Sequence, residues 1–340
     1  MPMRPLLTLL LISLLSACTL NPTDIHLQQG WNSQSLSAWR DHHPDQVVIS
    51  DDGKWLYVSC TTNASLLAPS LLAINIETGK QHILLFGLHR ADALKKAPDG
   101  SLWIGEGFDD GLFWRITEPD QLPDEQRVDR SNLDTSSPAI IPMHRAGNFD
   151  HQALAFSKDG TFAYMADAWK EGCLYRFHLQ NHQLEVLHKE KGWLPIRDSK
   201  SARLDAEKLH AQYFDTITDM TALPDGRLLL AEKGTGRILL LDDATAQPHV
   251  ETWLKHDALL HPNSVTWDEA RGWLWITDED KPSYLWAWDG RTLQEIARHD
   301  SAIITGVTLH KRDVYINLQR ELSRPEVLLR LRPTDGNNTL

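Results

Sequence analysis

Carboxylate and amide side chains return at two fixed points of a repeated pattern along this chain. Asp92, His151 with Gln152, Asp219, Asn263 and Thr305 stand near the start of one apolar run; Ser59, Glu106, Asp167, Glu232, Asp278 and Asn317 stand at or near the end of the run that follows it. If consecutive runs are antiparallel strands, the start of one and the end of the next meet on one side of the sheet. Carboxylates gathered there repel one another unless a cation is present. Six to eight hard oxygen donors at about 2.3–2.6 Å suit Ca²⁺. The expected metal ligands are Glu106, Asp167, Asp219, Glu232, Asn263 and Asp278. His151 and Glu106 are the expected catalytic residues, with His151 as ligand or as proton donor to an oxyanion. Taken singly, each acid could equally cap a loop, and His151 could equally be a hydrogen-bonded structural histidine. His42-His43 reads as a solvated turn. No nucleophile elbow, P-loop or H-E-x-x-H pattern occurs.

Such a set needs a frame that repeats. Six segments align: QVVISDDGKWLYVSC at 46–60, DALKKAPDGSLWIGE at 92–106, HQALAFSKDGTFAYMAD at 151–167, DMTALPDGRLLLAE at 219–232, NSVTWDEARGWLWITD at 263–278 and ITGVTLHKRDVYIN at 304–317. Most are two apolar runs around a turn, often Asp-Gly, which signals a hairpin because glycine takes positive φ without steric cost. A third run follows each (LLAINIE, LFWRITE, CLYRFHL, RILLLDD, YLWAWDG, VLLRLRP), and several turn into a fourth. Short antiparallel strands at intervals of roughly 40–65 residues fit β-propeller blades. The expected fold is all-β, a six-bladed β-propeller over 24–335 with two loop or helix insertions. The tryptophans inside the runs, among them Trp103, Trp114, Trp267, Trp275, Trp286 and Trp288, are expected between blades. The last copy ends near Pro333, one strand short. Asp24–Gln29 (DIHLQQ) is the expected donor of that strand, which would join the chain ends and remove an exposed edge.

Residues 117–147 and 189–215 are the insertions, the second with an expected helix at Ser201–Gln212; both read as loops leaving a propeller face. Residues 1–17 (MPMRPLLTLLLISLLSA) carry a basic residue, an apolar run too short to span a bilayer comfortably, and then small residues, as a secretory signal does. Leu15-Ser16-Ala17-Cys18 resembles the lipobox of bacterial lipoproteins, which implies cleavage before Cys18 and its acylation, palmitate included. The segment 18–23 would then be lipid anchor and linker. Thr19 follows the cysteine where an inner-membrane retention aspartate would stand, so the resemblance implies an outer-membrane lipoprotein facing the periplasm. Cys60 and Cys173 remain, as a disulfide or as two buried thiols. The net charge of −12 disfavours nucleic acid and anionic membrane surfaces as partners.

Several pieces resemble, in order, the PhoX-type alkaline phosphatases, six-bladed propellers that hold iron and calcium at the channel mouth. Gly100–Gly107 (GSLWIGEG), Phe149–Phe156 (FDHQALAF), Ala163–Phe177, Gly192–Pro195 (GWLP), His261–Asp278 and Ile304–Gln319 are similar to that family's segments, over about residues 90–325. The family's ligand cysteine falls on Gly105, and two of its glutamates fall on Gln152 and Ile303. Glu106, Asp167, Asn263 and Asp278 persist, so the resemblance implies calcium and not iron. Three functions follow as expectations. The first is a calcium-dependent phosphoester hydrolase with an altered metal centre. The second is a lactonase or esterase, because Met220–Leu241 and Pro262–Asp278 look similar to gluconolactonase-type propellers, which implies a Ca²⁺ site. The third is a propeller that binds a protein partner without catalysis.

Overall fold

The hairpin between the two inner strands of a blade is written in the sequence. At Ser157–Phe162, Ser157 Oγ accepts the amides of Thr161 and Phe162 at 3.0 and 2.9 Å, and Asp159 Oδ1 accepts Thr161 N at 3.0 Å. Gly160 supplies the positive φ of 69° that closes the hairpin. In the first blade Ser50 and Asp52 hold the amides of Lys54 and Trp55 in the same way.

The computed structural model describes residues 24–39, 43–61, 69–107, 112–129, 132–145, 151–167, 174–188, 216–243, 248–320 and 325–334. Cys18, Cys173 and the expected helix at Ser201–Gln212 lie outside them. Six antiparallel sheets form six blades. From the innermost strand outward, blade I is Pro44–Ile49, Trp55–Cys60, Pro69–Asn75 and Gln81–Phe86. Blade II is Ala91–Lys96, Leu102–Glu106, Leu112–Ile116 and Ile140–Arg145. Blade III is His151–Phe156, Phe162–Asp167, Leu174–His178 and Leu184–His188. Blade IV is Ile217–Ala222, Leu228–Glu232, Arg237–Asp242 and His249–Lys255. Blade V is Pro262–Asp268, Trp273–Asp278, Ser283–Trp288 and Leu293–His299. Blade VI takes Ile303–His310, Asp313–Gln319 and Glu326–Pro333 from the chain's end, and Trp31–Trp39 from its beginning. The innermost strands lie side by side around the axis, and that of blade VI returns to that of blade I.

The core is divided between the blades. One apolar cluster fills each seam: blades I and II around Tyr57 and Trp114, II and III around Trp103 and Phe156, III and IV around Tyr164 and Leu230, IV and V around Leu240 and Trp286, V and VI around Trp275 and Leu329, and VI and I around Tyr315 and Val58. Trp103, Trp114, Trp275 and Trp286 are buried in these seams, and Trp267 and Trp288 pack partly against one.

Ring closure uses a different segment from the one expected. Ile25–Leu27 adds a fifth strand to blade V, pairing with His299–Ala297, while Trp31–Trp39 completes blade VI against Pro333–Glu326. The closing strand reads WNSQSLSAW, without the apolar run that marks the inner strands. Its buried positions are its ends, Trp31 and Trp39, and Trp31 meets Trp275 edge-on at 5.7 Å. The first insertion also differs from a loop on a face. Gln126–Asp129 adds a parallel strand to the outer edge of blade I, and Ile140–Arg145 is the fourth strand of blade II. That stretch therefore covers sheet edges.

Where blade V hands over to blade VI, His299 is 1% exposed and its Nδ1 accepts the amides of Ser301 and Ala302 at 3.2 and 2.8 Å. The ring's proton is therefore on Nε2. Burial first, and the positive Arg320 second, hold its pKa below the ordinary histidine value. The unfolded chain then binds this proton more readily than the folded one, so stability rises with pH across that interval. The contribution is complete above about 6.5 and is lost as pH falls toward the depressed folded value. Urea midpoints at pH 5 and 7.5 are expected to differ more in the wild type than in His299→Asn, which offers the same acceptor and no titration.

Candidate functional site

The acids that end the second strands are engaged by their own blades. Trp114 Nε1 donates to Glu106 Oε1 at 2.6 Å and the His89 amide to Oε2 at 3.2 Å. Arg237 Nε donates to Glu232 Oε2 at 2.5 Å, joined by the Thr235 hydroxyl. The amides of Leu260 and His261 donate to Asp278 Oδ2 and Oδ1 at 2.7 and 2.9 Å. Burial pushes the Asp278 carboxyl up, and those amides oppose it. His89 and His261 lead directly into inner strands, so Glu106 and Asp278 each brace the entry to their blade. Blade VI braces blade I similarly: Glu326 Oε1 accepts the His43 amide at 3.0 Å. His43 is thereby held in place, its ring 3.1 Å from Gln319 Nε2, and is not the solvated turn expected. Backbone register pairs His151 with Asp167 at this end of blade III; their side chains lie outside the described residues.

The inner strands build a polar mouth with a closed floor. Asp219 of blade IV accepts Met220 N at 2.8 Å, Ser264 Oγ at 2.9 Å and Val265 N at 2.9 Å, and Lys95 Nζ of blade II stands 2.7 Å from its Oδ1. Ser264 Oγ is also 3.2 Å from Gln46 Oε1 of blade I. Gln46, Lys95, Asp219 and Ser264 thus tie four blades together across the axis. Nearer the opening are Asp92, whose oxygens lie 3.1 and 2.9 Å from Arg90 Nε and Nη2, and Asn263, whose Nδ2 donates to Thr305 O at 3.0 Å. Thr305 Oγ1 donates to Pro44 O at 3.0 Å, and Asn317 Nδ2 to Asp45 O at 3.2 Å. Ser59 faces the same seam by accepting Gln46 N at 3.0 Å.

Asp45, second in its inner strand as Asp92 is in its own, stands in this mouth. The residue is half-buried, and the surrounding strands enclose its carboxyl. That enclosure pushes its carboxyl well above the usual range; the charges of Asp92, Glu279 and Asp219 add to the rise and Arg90 opposes it. Expectation from sequence omitted Asp45, Arg90, Lys95, Gln46 and Ser264. Aligning PDQVVI with ADALKK by strand register would have put Asp45 beside Asp92. A cavity of about 160 Å³ opens on the opposite face, where Lys96 pairs with Asp51 and Tyr57 donates to Asp120, away from these groups.

Of the six expected calcium ligands, four carboxylates are engaged by protein donors, and the side chain of Asp167 lies outside the described residues. Oxygens of Glu106, Glu232 and Asp278 are taken by N–H donors, Asp219 by a lysine and three further donors, and among the described residues no three His, Cys, Asp or Glu side chains gather to hold a metal. Cys60 is a buried free thiol, pushed up by burial.

Gly306 sets the spacing of the mouth. A methyl group there would lie 2.5 Å from Asp45 O and 3.2 Å from Asn317 Nδ2. Gly306→Ala is expected to force blades VI and I apart at a cost of about 1–3 kcal/mol, read as a lower denaturant midpoint.

No family model matches the chain, and no curated protein matches it. Solved structures do. A gluconolactonase of Xanthomonas campestris is 12% identical, with 90% of each chain covered and a TM-score of 0.58. A virginiamycin B lyase of Staphylococcus aureus is 14% identical, covering 89% of this chain and 99% of that one, with a TM-score of 0.53. An auxiliary nutrient binding protein of Bacteroides ovatus is 8% identical, covering 91% and 78%, with a TM-score of 0.61. At these identities the likeness is one of fold, which serves both enzymes and a binding protein. The chain is a six-bladed β-propeller whose solved structural neighbours include a gluconolactonase.

Proposed function

We propose that this propeller hydrolyses small lactones or esters at its channel mouth, with Asp45 as the proton-transferring group. The observation that carries this reading is an enclosed carboxyl of raised pKa, on a half-buried residue, among Asp92, Asp219, Glu279 and Arg90. Such a group can take a proton from an attacking water and return it to the leaving oxygen. Water adds to the carbonyl carbon, the carbon–oxygen bond to the leaving alkoxide breaks, and the products are a carboxylic acid and an alcohol. Arg90, paired with Asp92, places a positive charge at the mouth beside Asp45, and the floor of Gln46, Lys95, Asp219 and Ser264 limits how far a substrate enters. The gluconolactonase among the solved neighbours supports this over phosphoester hydrolysis. No step is routed through calcium, and Glu106, Glu232 and Asp278 act in this reading as protein-bonded braces.

A panel of γ- and δ-lactones, aryl esters and aryl phosphates tests the reading. Turnover of a lactone or ester that disappears in Asp45→Asn is expected. Turnover of phosphates alone, or of nothing, overturns it. A second reading, binding without turnover, is favoured by the brace roles of Glu106, Glu232 and Asp278. It would show as saturable binding of a small polar ligand that is recovered unchanged.

A further inference from the structure

Blades V and VI are joined by Asp300, Ser301 and Ala302, between Leu293–His299 and Ile303–His310. Both amides that turn the chain there rest on one ring: Ser301 N and Ala302 N donate to His299 Nδ1 at 3.2 and 2.8 Å. The ring is buried, and its Nε2 has no hydrogen-bond partner among the described residues. Ser283, also buried, completes the joint. Its hydroxyl donates to Ala302 O at 2.8 Å and accepts Ile304 N at 3.1 Å. Ala302 thereby joins the apolar seam between the two blades.

One more proton on the ring undoes both amide bonds. The neutral ring offers Nδ1 as an acceptor, whereas an imidazolium donates from both nitrogens and accepts nothing. Its new N–H would face two amide N–H groups, and a charge would stand in a buried site without an acceptor. Charged groups reach the ring from three places. Arg320, just past Asp313–Gln319, and His26 oppose protonation; Asp24, beside His26, and Asp300 of the link favour it. The neighbouring strand of blade V contributes the uncharged Ser283 at this level. Burial and Arg320 are the two largest influences and keep the ring neutral until pH falls below the ordinary histidine range. His26 gains charge over a similar interval and would tighten its pair with Asp300, a small opposing effect because the two side chains are 54% and 63% exposed.

We propose that His299 is an acid-sensitive latch: a proton taken up at Nδ1 releases Asp300–Ala302 and the entry of the inner strand of blade VI, while the other blades stay folded. The inference is independent of the hydrolase reading. The proton comes from solvent, and the amides of Ser301 and Ala302 exchange the ring for water. The opening is bounded on both sides. Before it, Leu293–His299 is held along its length by Ser283–Trp288. After it, Thr305 O accepts Asn263 Nδ2 and Thr277 Oγ1 at 3.0 and 2.9 Å, which ties the strand back to blade V. Release between those ties exposes one corner of the ring, the kind of sub-global opening that costs less than unfolding the whole.

Hydrogen exchange read by mass spectrometry tests the latch on the full chain, at pH 7.5 and pH 5 with labelling times scaled to the intrinsic amide rate. The peptide 298–306 is expected to exchange at least several-fold faster at pH 5 after scaling, with 228–241 of blade IV unchanged. His299→Asn offers the amides an acceptor that does not titrate, and is expected to remove the difference. His26→Gln is expected to leave it. A wild-type measurement stands beside the variants: ¹⁵N-histidine NMR should show one ring protonated at Nε2 at pH 7.5, titrating over the interval in which 298–306 loses protection. Equal scaled exchange at the two pH values overturns the proposal. So does loss of protection in 228–241 alongside 298–306, a pH effect that survives in His299→Asn, or the absence of a ring whose titration coincides with the opening.

Discussion

Replacing Asp219 with alanine is expected to destabilise the folded propeller by about 3–5 kcal/mol, the loss typical of breaking a buried ion pair by removing one partner. The magnitude follows from what the carboxylate holds. Its oxygens receive the amides of Met220 and Val265, the hydroxyl of Ser264 and the ammonium of Lys95, from three blades. Alanine leaves two buried amides and a hydroxyl without that acceptor and an ammonium without its counter-charge. Differential scanning calorimetry should register a fall in Tm of about 4–7 °C for a chain of this size. The pair Lys95→Met with Asp219→Leu separates the cause, because it removes the charges together. If the uncompensated charge dominates, the double variant should recover most of the loss. A fall below about 1 kcal/mol in Asp219→Ala would mean that water replaces the carboxylate at the floor and that the network across the axis is not a structural tie.

The fold was legible because its signals are local. Lys158-Asp159-Gly160 and its equivalents combine a side-chain acceptor with positive φ, and the runs beside them are apolar on both faces because each blade is covered by two neighbours. Trp31–Trp39 was missed for the opposite physical reason. An outer strand has one wet edge, so its fully buried residues stand only at its ends with Leu36 and Ala38 half-buried between polar neighbours, and DIHLQQ just before it looked no worse. The acids were legible as a set but not as a function. Repetition in register has two sources here, convergence on an axis and repetition of a brace, and composition does not separate them. Glu106 and Asp278 recur because each inner strand needs acceptors for the amides that lead into it. Asp92 and Asp219 recur at the axis, with Arg90 and Lys95 as counter-charges that no acid-centred reading of the sequence would include.

Asp45→Asn is expected to lower kcat/KM for a hydrolysed lactone by at least about 100-fold, the lower end of what a positioned general base contributes. Asparagine matches the shape and cannot carry the proton between water and leaving oxygen. Stability should not fall with activity. A carboxyl whose folded pKa is raised binds its proton more tightly in the folded chain, so folding stability declines as pH rises through and beyond the ordinary carboxylate range. Asparagine removes that penalty, and the variant's Tm at neutral pH should equal or exceed that of the wild type. The pH profile distinguishes a reacting group from a positioning one. The base acts as the carboxylate, so wild-type kcat/KM should rise with pH along a limb set by Asp45, above the usual carboxylate range. Asp92→Asn removes the largest of the charges that raise Asp45, so it should move this limb to lower pH while leaving turnover in place. A limb that stays where it is in Asp92→Asn, or an Asp45→Asn enzyme with wild-type turnover, would transfer the chemistry to another group at the mouth. Arg90, which bonds Asp92 and opposes the rise at Asp45, would be the next to substitute.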